Sequence, residues 1–277
     1  MRGARPDTSV GHQRHADTAE VGLGLERDNG EASDSVLAVV DLGVMAYGSA
    51  LELQRAVARA RMDGALDHDV LLLVEHPPVI TMGRASKHAH LVASDSLLAA
   101  RGVQRFEVDR GGDVTFHGPG QLVGYPILDL KQHRQDLHWY LRQVEEALIE
   151  ALAPFGIVAG RSPGFTGVWV GDRKIASIGV HARDWVTWHG FALNVTTDLS
   201  YFDFIVPCGI PDVVMTSVAR ELGGDRVTMP AVREAVAHAF ARVFSRRAEP
   251  LSASLLHGRV ASELPQRQAW RRSPVAP

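Results

Sequence analysis

The chain contains one cysteine, Cys208, in Pro207-Cys208-Gly209-Ile210-Pro211 rather than in an apolar run. A lone cysteine is most often a small buried hydrophobe. Flanked by proline and glycine in a loop, however, it can be exposed and held still. The thiolate is the strong sulfur nucleophile, and a nearby cation favours it. Lys174, His117, His181 and His189 could each be that partner, and spacing does not choose among them. Lys174 follows the turn pair Gly171-Asp172, a place where lysine is usually solvated. The apolar Ile175-Ala176 behind it can draw its side chain onto a sheet face, where a drier lysine could act as a base.

The densest polar stretch is Arg110-Gly-Gly-Asp-Val-Thr-Phe-His-Gly-Pro-Gly-Gln121, with four glycines and a proline between two apolar runs. Glycine lets backbone N–H groups approach a ligand, and consecutive N–H groups in a turn form a concave anion or oxyanion site. Arg110 and His117 bracket the stretch with one fixed and one titratable donor. The competing interpretation is a tight strand-to-strand connection with a polar rim. Ser177-Ile178-Gly179 and His189-Gly190-Phe191-Ala192 add small residues inside strands, which mark either a bulge or a close approach of backbone or ligand. There is no Walker loop, no His-Glu-x-x-His or cysteine pair for zinc, and no Gly-x-Ser-x-Gly elbow.

These residues need a frame, and the pattern supplies one. Residues 1–34 hold few aromatic or β-branched residues and are expected to be disordered, with His12 and His15 solvated rather than metal-binding. Order should begin with a strand at 36–42. An amphipathic helix follows over 47–64, then a buried strand over 70–74 and an extended segment over 79–81. Ser94 should cap a short helix ending before Gly102. Strands at 104–108 and 121–130 flank the polar stretch, and Pro126 suggests that the second is an edge or carries a bulge. Helix 137–152 shows a stripe of Leu137, Tyr140, Leu141, Val144, Leu148 and Leu152, with Glu145, Glu146 and Glu150 off it. An antiparallel meander fills 166–195, and a closing helix at 230–244 turns Val232, Val236, Phe240 and Val243 inward. Helices separated by hairpin-linked strands argue for an α+β fold with a mixed, largely antiparallel sheet and flanking helices. The catalytic domain is read as 35–247, with a frayed tail over 248–277.

The bulk numbers exclude several classes. The chain has 277 residues, 45% hydrophobic and 22% charged, with net charge -3, which fits a globular protein and gives no general pull towards nucleic acid. No apolar run reaches the ~20 residues of a membrane span, and no apolar segment follows the first arginines as in a secretory leader. One cysteine makes no intrachain disulfide, so a cytoplasmic monomer is expected.

Taken together, the motifs resemble the signature of the octanoyltransferases that start lipoyl-cofactor assembly. The resemblance rests on Arg110–Gln121, on Gly171-Asp-Arg-Lys-Ile-Ala-Ser-Ile-Gly179, on His189-Gly-Phe-Ala-Leu-Asn194 and on Pro207-Cys-Gly-Ile210, and covers about residues 36–245. It implies the fold of biotin and lipoate protein ligase catalytic domains. It implies transfer of an octanoyl group from octanoyl-acyl carrier protein to a lysine of a lipoyl domain, in 2-oxoacid dehydrogenase complexes and the glycine cleavage H protein, with no cofactor and no metal. By motif position Cys208 would accept the acyl group and Lys174 would be its partner. Arg110, Gly111, Gly112, Asp113, Val114, Thr115, Phe116, His117, Ser177, Ile178, Gly179, Gly190, Phe191 and Ala192 would line the substrate pocket. Gly179, Gly190 and Ala192 are expected to leave room for the acyl chain, and Arg84 and Arg110 to face the acidic carrier. The alternatives are an ATP-dependent lipoate or biotin ligase of the same fold, a relay amidotransferase between carrier domains, and a non-catalytic acyl-binding protein.

Overall fold

The computed structural model describes residues 35–210, 213–224 and 227–261. The expectations for residues 1–34, for Pro211 and for the tail over 262–277 lie outside them.

The chain opens with β1 (Val36–Val44), α1 (Tyr47–Met62), β2 (Asp69–Glu75) and β3 (Val79–Met82). α2 (Asp95–Ala100), β4 (Gln104–Glu107), β5 (Val114–His117), β6 (Gln121–Ile127) and α3 (Leu137–Leu152) follow. Next come β7 (Gly160–Ser162), β8 (Phe165–Val170), β9 (Arg173–Arg183) and β10 (Val186–Asn194). The chain closes with β11 (Val214–Met215), α4 (Val218–Glu221), α5 (Met229–Val243), β12 (Arg247–Pro250) and α6 (Ala253–Ala261). As expected, Ser94 caps α2 by accepting from Leu97 N–H. Asp136 caps α3 by accepting from His138 and Trp139.

The large sheet runs β12-β1-β2-β6-β10-β9-β8-β7, with β11 paired beside β9. β12–β1, β1–β2 and β11–β9 are parallel and the other pairs antiparallel. A small sheet, β4-β3-β5, stands apart from it. The fold is therefore the expected α+β arrangement around a mixed, largely antiparallel sheet. β2 shows why the centre is stable. Its side chains alternate between two cores: Leu71 and Leu73 face α3 and α5, while Val70, Leu72 and Val74 face α1 and α6. A strand buried on both faces reads as a continuous apolar run. Gly171-Asp172 makes the β8–β9 turn as the sequence suggests. Asp184-Trp185, both at positive φ, makes the β9–β10 turn without the usual glycine.

Four expectations need correction. Pro126 is not on an edge, because β6 lies between β2 and β10. It pairs with Leu71 of β2, and the ladder to β10 passes over it. Its carbonyl accepts from Thr187 Oγ1 at 2.9 Å and Tyr140 OH at 3.3 Å, and His189 N–H turns away to Gln54 Oε1. Glu145 is fully buried rather than off the stripe, accepting from Arg142, Arg161 and Gly167 N–H. The chain does not fray at 248: β12 pairs in parallel with β1, and α6 seats Leu256 and Val260 on the α1 side of the sheet. The polar stretch 110–121 is not one loop, since β5 occupies its middle and Gln121 opens β6.

Candidate active site

The lone cysteine lies in a single 3-10 turn, Pro207–Gly209, and adopts φ 56°, ψ 19°. Few non-glycine residues take such a conformation, and those that do cluster at functional sites. Lys174, near the start of β9, reaches the same point from inside the sheet and is 1% exposed. Its Nζ donates to Cys208 Sγ at 3.3 Å and to Thr166 O at 3.1 Å, and lies 5.4 Å from the Trp169 ring centroid. Gly167 on β8 makes room for it, because a Cβ there would stand 2.7 Å from Lys174 Cε. Of the four candidate partners, the structure brings Lys174 to the sulfur. Ser177 Oγ lies 3.9 Å from Sγ on the other side.

The pair opens into a cavity of about 320 Å³. Arg110, Gly112, Asp113, Thr115, His117, Ser177, Ile178, Gly179, Gly190, Phe191 and Ala192 line it along with Lys174 and Cys208. Three expected residues do not. In β5 the side chains alternate, so Thr115 and His117 face the cavity while Val114 and Phe116 join the core of the small sheet, where Phe116 stacks on Tyr201 at 4.7 Å. Gly111 spends its N–H on Val180 O at 2.8 Å and ties the stretch to β9. Tyr47, Val123, Tyr125, Phe165, Thr166 and His189 also line the cavity. The period-two spacing of Val123 and Tyr125 in β6 carried a signal for two of these; Tyr47, at the start of α1, carried none.

The inner wall is polar but fixed. Arg110 is buried and donates from Nη2 to Thr81 O at 2.7 Å and Thr81 Oγ1 at 2.9 Å, and from Nη1 to Gly111 O at 3.0 Å. Arg110 is therefore an internal strut rather than a surface group, and burial pulls its pKa below the ordinary arginine value. Arg84 remains exposed. Gln121 Nε2 donates to Asn194 Oδ1 and Phe116 O, so its Oε1 must accept from His117 Nδ1–H at 2.9 Å. That leaves His117 Nε2 as an acceptor towards Thr81 Oγ1, 3.4 Å away. Burial lowers the His117 pKa to about 3. His76 donates Nδ1–H to Met45 O and faces Tyr125 OH at 2.7 Å, and burial lowers its pKa to about 4. His117 is thus a neutral fixture, not the titratable donor expected. Burial also raises Tyr47 to about 12.

His181 and His189 point to Asp109 instead of the sulfur, through its carbonyl at 2.8 Å and its Oδ1 at 2.8 Å respectively. Burial pushes the Asp109 carboxyl up, but the His189 hydrogen bond and the charges of His189 and Arg55 outweigh it and hold it below the usual carboxylate range.

Gly179 and Gly190 border the cavity where backbones approach closely. A Cβ on Gly179 would stand 2.9 Å from Gly111 O, and one on Gly190 would stand 2.2 Å from Gly124 O. Both let backbones pack, and the apolar walls come from Val123, Ile178, Phe191 and Ala192.

Comparison with known proteins identifies the family. Residues 46–241 match the family described as the lipoyl protein ligase A/B catalytic domain. The octanoyltransferase of Solibacter usitatus is 53% identical over 204 residues, covering 73% of this chain and 90% of that protein. The octanoyltransferase of Acidobacterium capsulatum is 50% identical over 226 residues, covering 76% and 92%. A crystal structure of lipoate-protein ligase A bound with ATP superposes with a TM-score of 0.66 at 17% identity, covering 83% of this chain and 94% of that one, and shares the fold. No helix among the described residues is long and apolar enough to cross a membrane. The chain belongs to the octanoyltransferases of the lipoyl protein ligase A/B catalytic-domain family.

Proposed function

We propose that the protein moves its octanoyl group through a thioester on Cys208, taking it from octanoyl-acyl carrier protein and passing it to a lysine of a lipoyl domain. The observation that carries this reading is the 3.3 Å contact between Lys174 Nζ and Cys208 Sγ on the wall of a partly apolar cavity. The thiolate is the form that attacks, and at that distance Lys174 Nζ can exchange a proton directly with the sulfur. In the first half-reaction Sγ adds to the donor carbonyl, the carbon–sulfur bond to the carrier breaks, and the departing thiolate takes a proton from Lys174. One thioester replaces another, so no ATP is consumed. In the second, the lipoyl-domain amine attacks the enzyme thioester, its proton passes to Lys174, and Cys208 leaves as thiolate. Lys174 ends each cycle protonated, as it began, and its charge balances the oxyanion in the first step and, once it has taken the amine proton, in the second.

Binding comes from the walls. Each methylene buried against Val123, Ile178, Phe191 or Ala192 contributes ~0.8 kcal/mol. Thr115 Oγ1, buried on the cavity wall with no partner, is free to bond the bound acyl donor.

The test is intact-protein mass after mixing with octanoyl-loaded acyl carrier protein without ATP. A gain of one octanoyl group, absent in Cys208→Ser, is the expected result. Acylation of a lipoyl domain only when ATP is added would move the assignment to the ligase, and transfer from an acylated carrier domain but not from the acyl carrier protein would move it to the relay enzyme.

A further inference from the structure

The turn that presents Cys208 has to be forced. Cys208 and Gly209 are consecutive left-handed residues, at φ +56° and +65°. A non-glycine residue stays there only where its surroundings over-determine it. Within the turn, Gly209 N–H bonds Val206 O at 3.0 Å and Ile210 N–H bonds Pro207 O at 3.1 Å. The remaining restraint comes from His90, far away in sequence. Its backbone carbonyl accepts Val206 N–H at 2.8 Å, just before the turn. Next to it, Val92 and Ala93 N–H both bond Phe204 O, and Leu91 bridges Ile205.

The His90 side chain secures the other end. Nδ1–H donates to Asp113 Oδ2 at 2.6 Å, while Asp113 Oδ1 accepts Val114 N–H at 2.7 Å, so the carboxylate is fixed from both sides. The pair packs directly against Gly209. A Cβ there would lie 2.5 Å from Asp113 Oδ2 and 3.1 Å from His90 Cε1. Neither side chain is hydrogen-bonded to Cys208 or Lys174.

We propose that His90 and Asp113 are positioning residues that clamp the Pro207–Gly209 turn and so keep Cys208 Sγ beside Lys174. The proposal rests on the reading of Cys208 as the acyl-accepting nucleophile. It also gives Asp113 a role other than the substrate contact implied by its motif.

Asparagine places a donor nitrogen where His90 has Nδ1, whereas glutamine places it one atom further out. His90→Ala and Asp113→Ala are expected to slow acylation of Cys208 roughly ten- to a hundredfold, the scale of a displaced reacting atom. In His90→Ala the apparent KM for the octanoyl donor should stay within about twofold, since His90 does not line the cavity. His90→Asn should recover most of the rate and His90→Gln should not. A second readout needs no octanoyl donor: alkylation of Cys208 by iodoacetamide, taken as the ratio of the rate at about pH 7 to that at about pH 10, where free thiols are ionised. That ratio should fall in both alanine variants, because the sulfur has left Lys174 while the reagent still reaches it.

Unchanged acylation and alkylation in His90→Ala, equal behaviour of the Asn and Gln variants, or a raised KM with kcat intact would each overturn the clamp. If the wild-type protein forms no acyl-enzyme while the alkylation ratio still falls in the variants, the nucleophile reading fails and the clamp on the turn stands.

Discussion

The cavity has two walls that look equally chemical in the sequence and differ in the structure. The inner wall is the Arg110–Gln121 stretch, the richest in polar residues. Most of its bonding capacity is spent internally, with Thr115 Oγ1 and Arg110 Nε left over: Arg110 bonds Thr81 and Gly111, His117 bonds Gln121 and Thr81, and Gln121 bonds Phe116 and Asn194. The outer wall is sparse. Lys174 and Cys208 meet there, the cysteine on a left-handed backbone and the lysine using two of its three donors on Thr166 O and the sulfur. A dense polar motif whose groups satisfy each other builds a rigid scaffold. Reactivity resides where a group keeps spare capacity and its backbone is held under strain.

The sharpest way to break this contrast is at Lys174. Lys174→Met should reduce both half-reactions by roughly 10²–10⁴, the range for losing a positioned acid–base group, while leaving the unfolding midpoint nearly unchanged. Lys174→Arg keeps a charge near the sulfur but cannot release its proton, so it should be almost as slow. Single-turnover acylation and deacylation rates check this. An active arginine variant would reduce Lys174 to a counter-charge and remove the proton shuttle.

The converse is expected of Arg110. Arg110→Met strands the buried Thr81 carbonyl and should cost about 1–3 kcal/mol of stability, read from urea unfolding at constant slope. Its effect on the acylation rate should be much smaller than that of Lys174→Met. If instead the rate collapses with stability intact, the inner wall touches substrate and the contrast between the walls is lost.

Much of this was legible before the structure, and the misses share a cause. The helices at 47–62 and 137–152, the buried strand β2 and the Gly171-Asp172 turn follow from periodicity and turn chemistry, both local. Cys208 stood out by its neighbours. The choice of Lys174 over three histidines came from the motif resemblance, because that contact closes across 34 residues of chain. What stayed hidden depends on partners distant in sequence. Glu145 looks solvated until Arg161 and Gly167 arrive from the next hairpin. Arg110 looks like a surface cation until Thr81 lies 29 residues away and in contact. His90 carries no motif at all, yet it holds Asp113. The C-terminal strand and helix look frayed in the sequence because β12 is polar on its own and gains its place only by pairing with β1.

The smallest expected effect tests the inner wall through pH. In an unfolded chain a histidine binds a proton below about pH 6.5. In the fold, burial keeps His76 neutral down to about 4 and His117 down to about 3. Between those limits the unfolded state holds more protons, so stability rises with pH, is complete above about pH 7, and drains away as the solution is acidified. Each histidine should account for about 2 kcal/mol of the difference between pH 7 and pH 5. His117→Asn keeps a donor facing Gln121 Oε1 but cannot be protonated, so its stability should depend on pH less steeply than the wild type by about that amount, measured by denaturant unfolding at the two pH values. An unchanged slope would mean that His117 gains its proton without unfolding. Water and charge would then reach the inner wall, and the scaffold would be as open to chemistry as the rim.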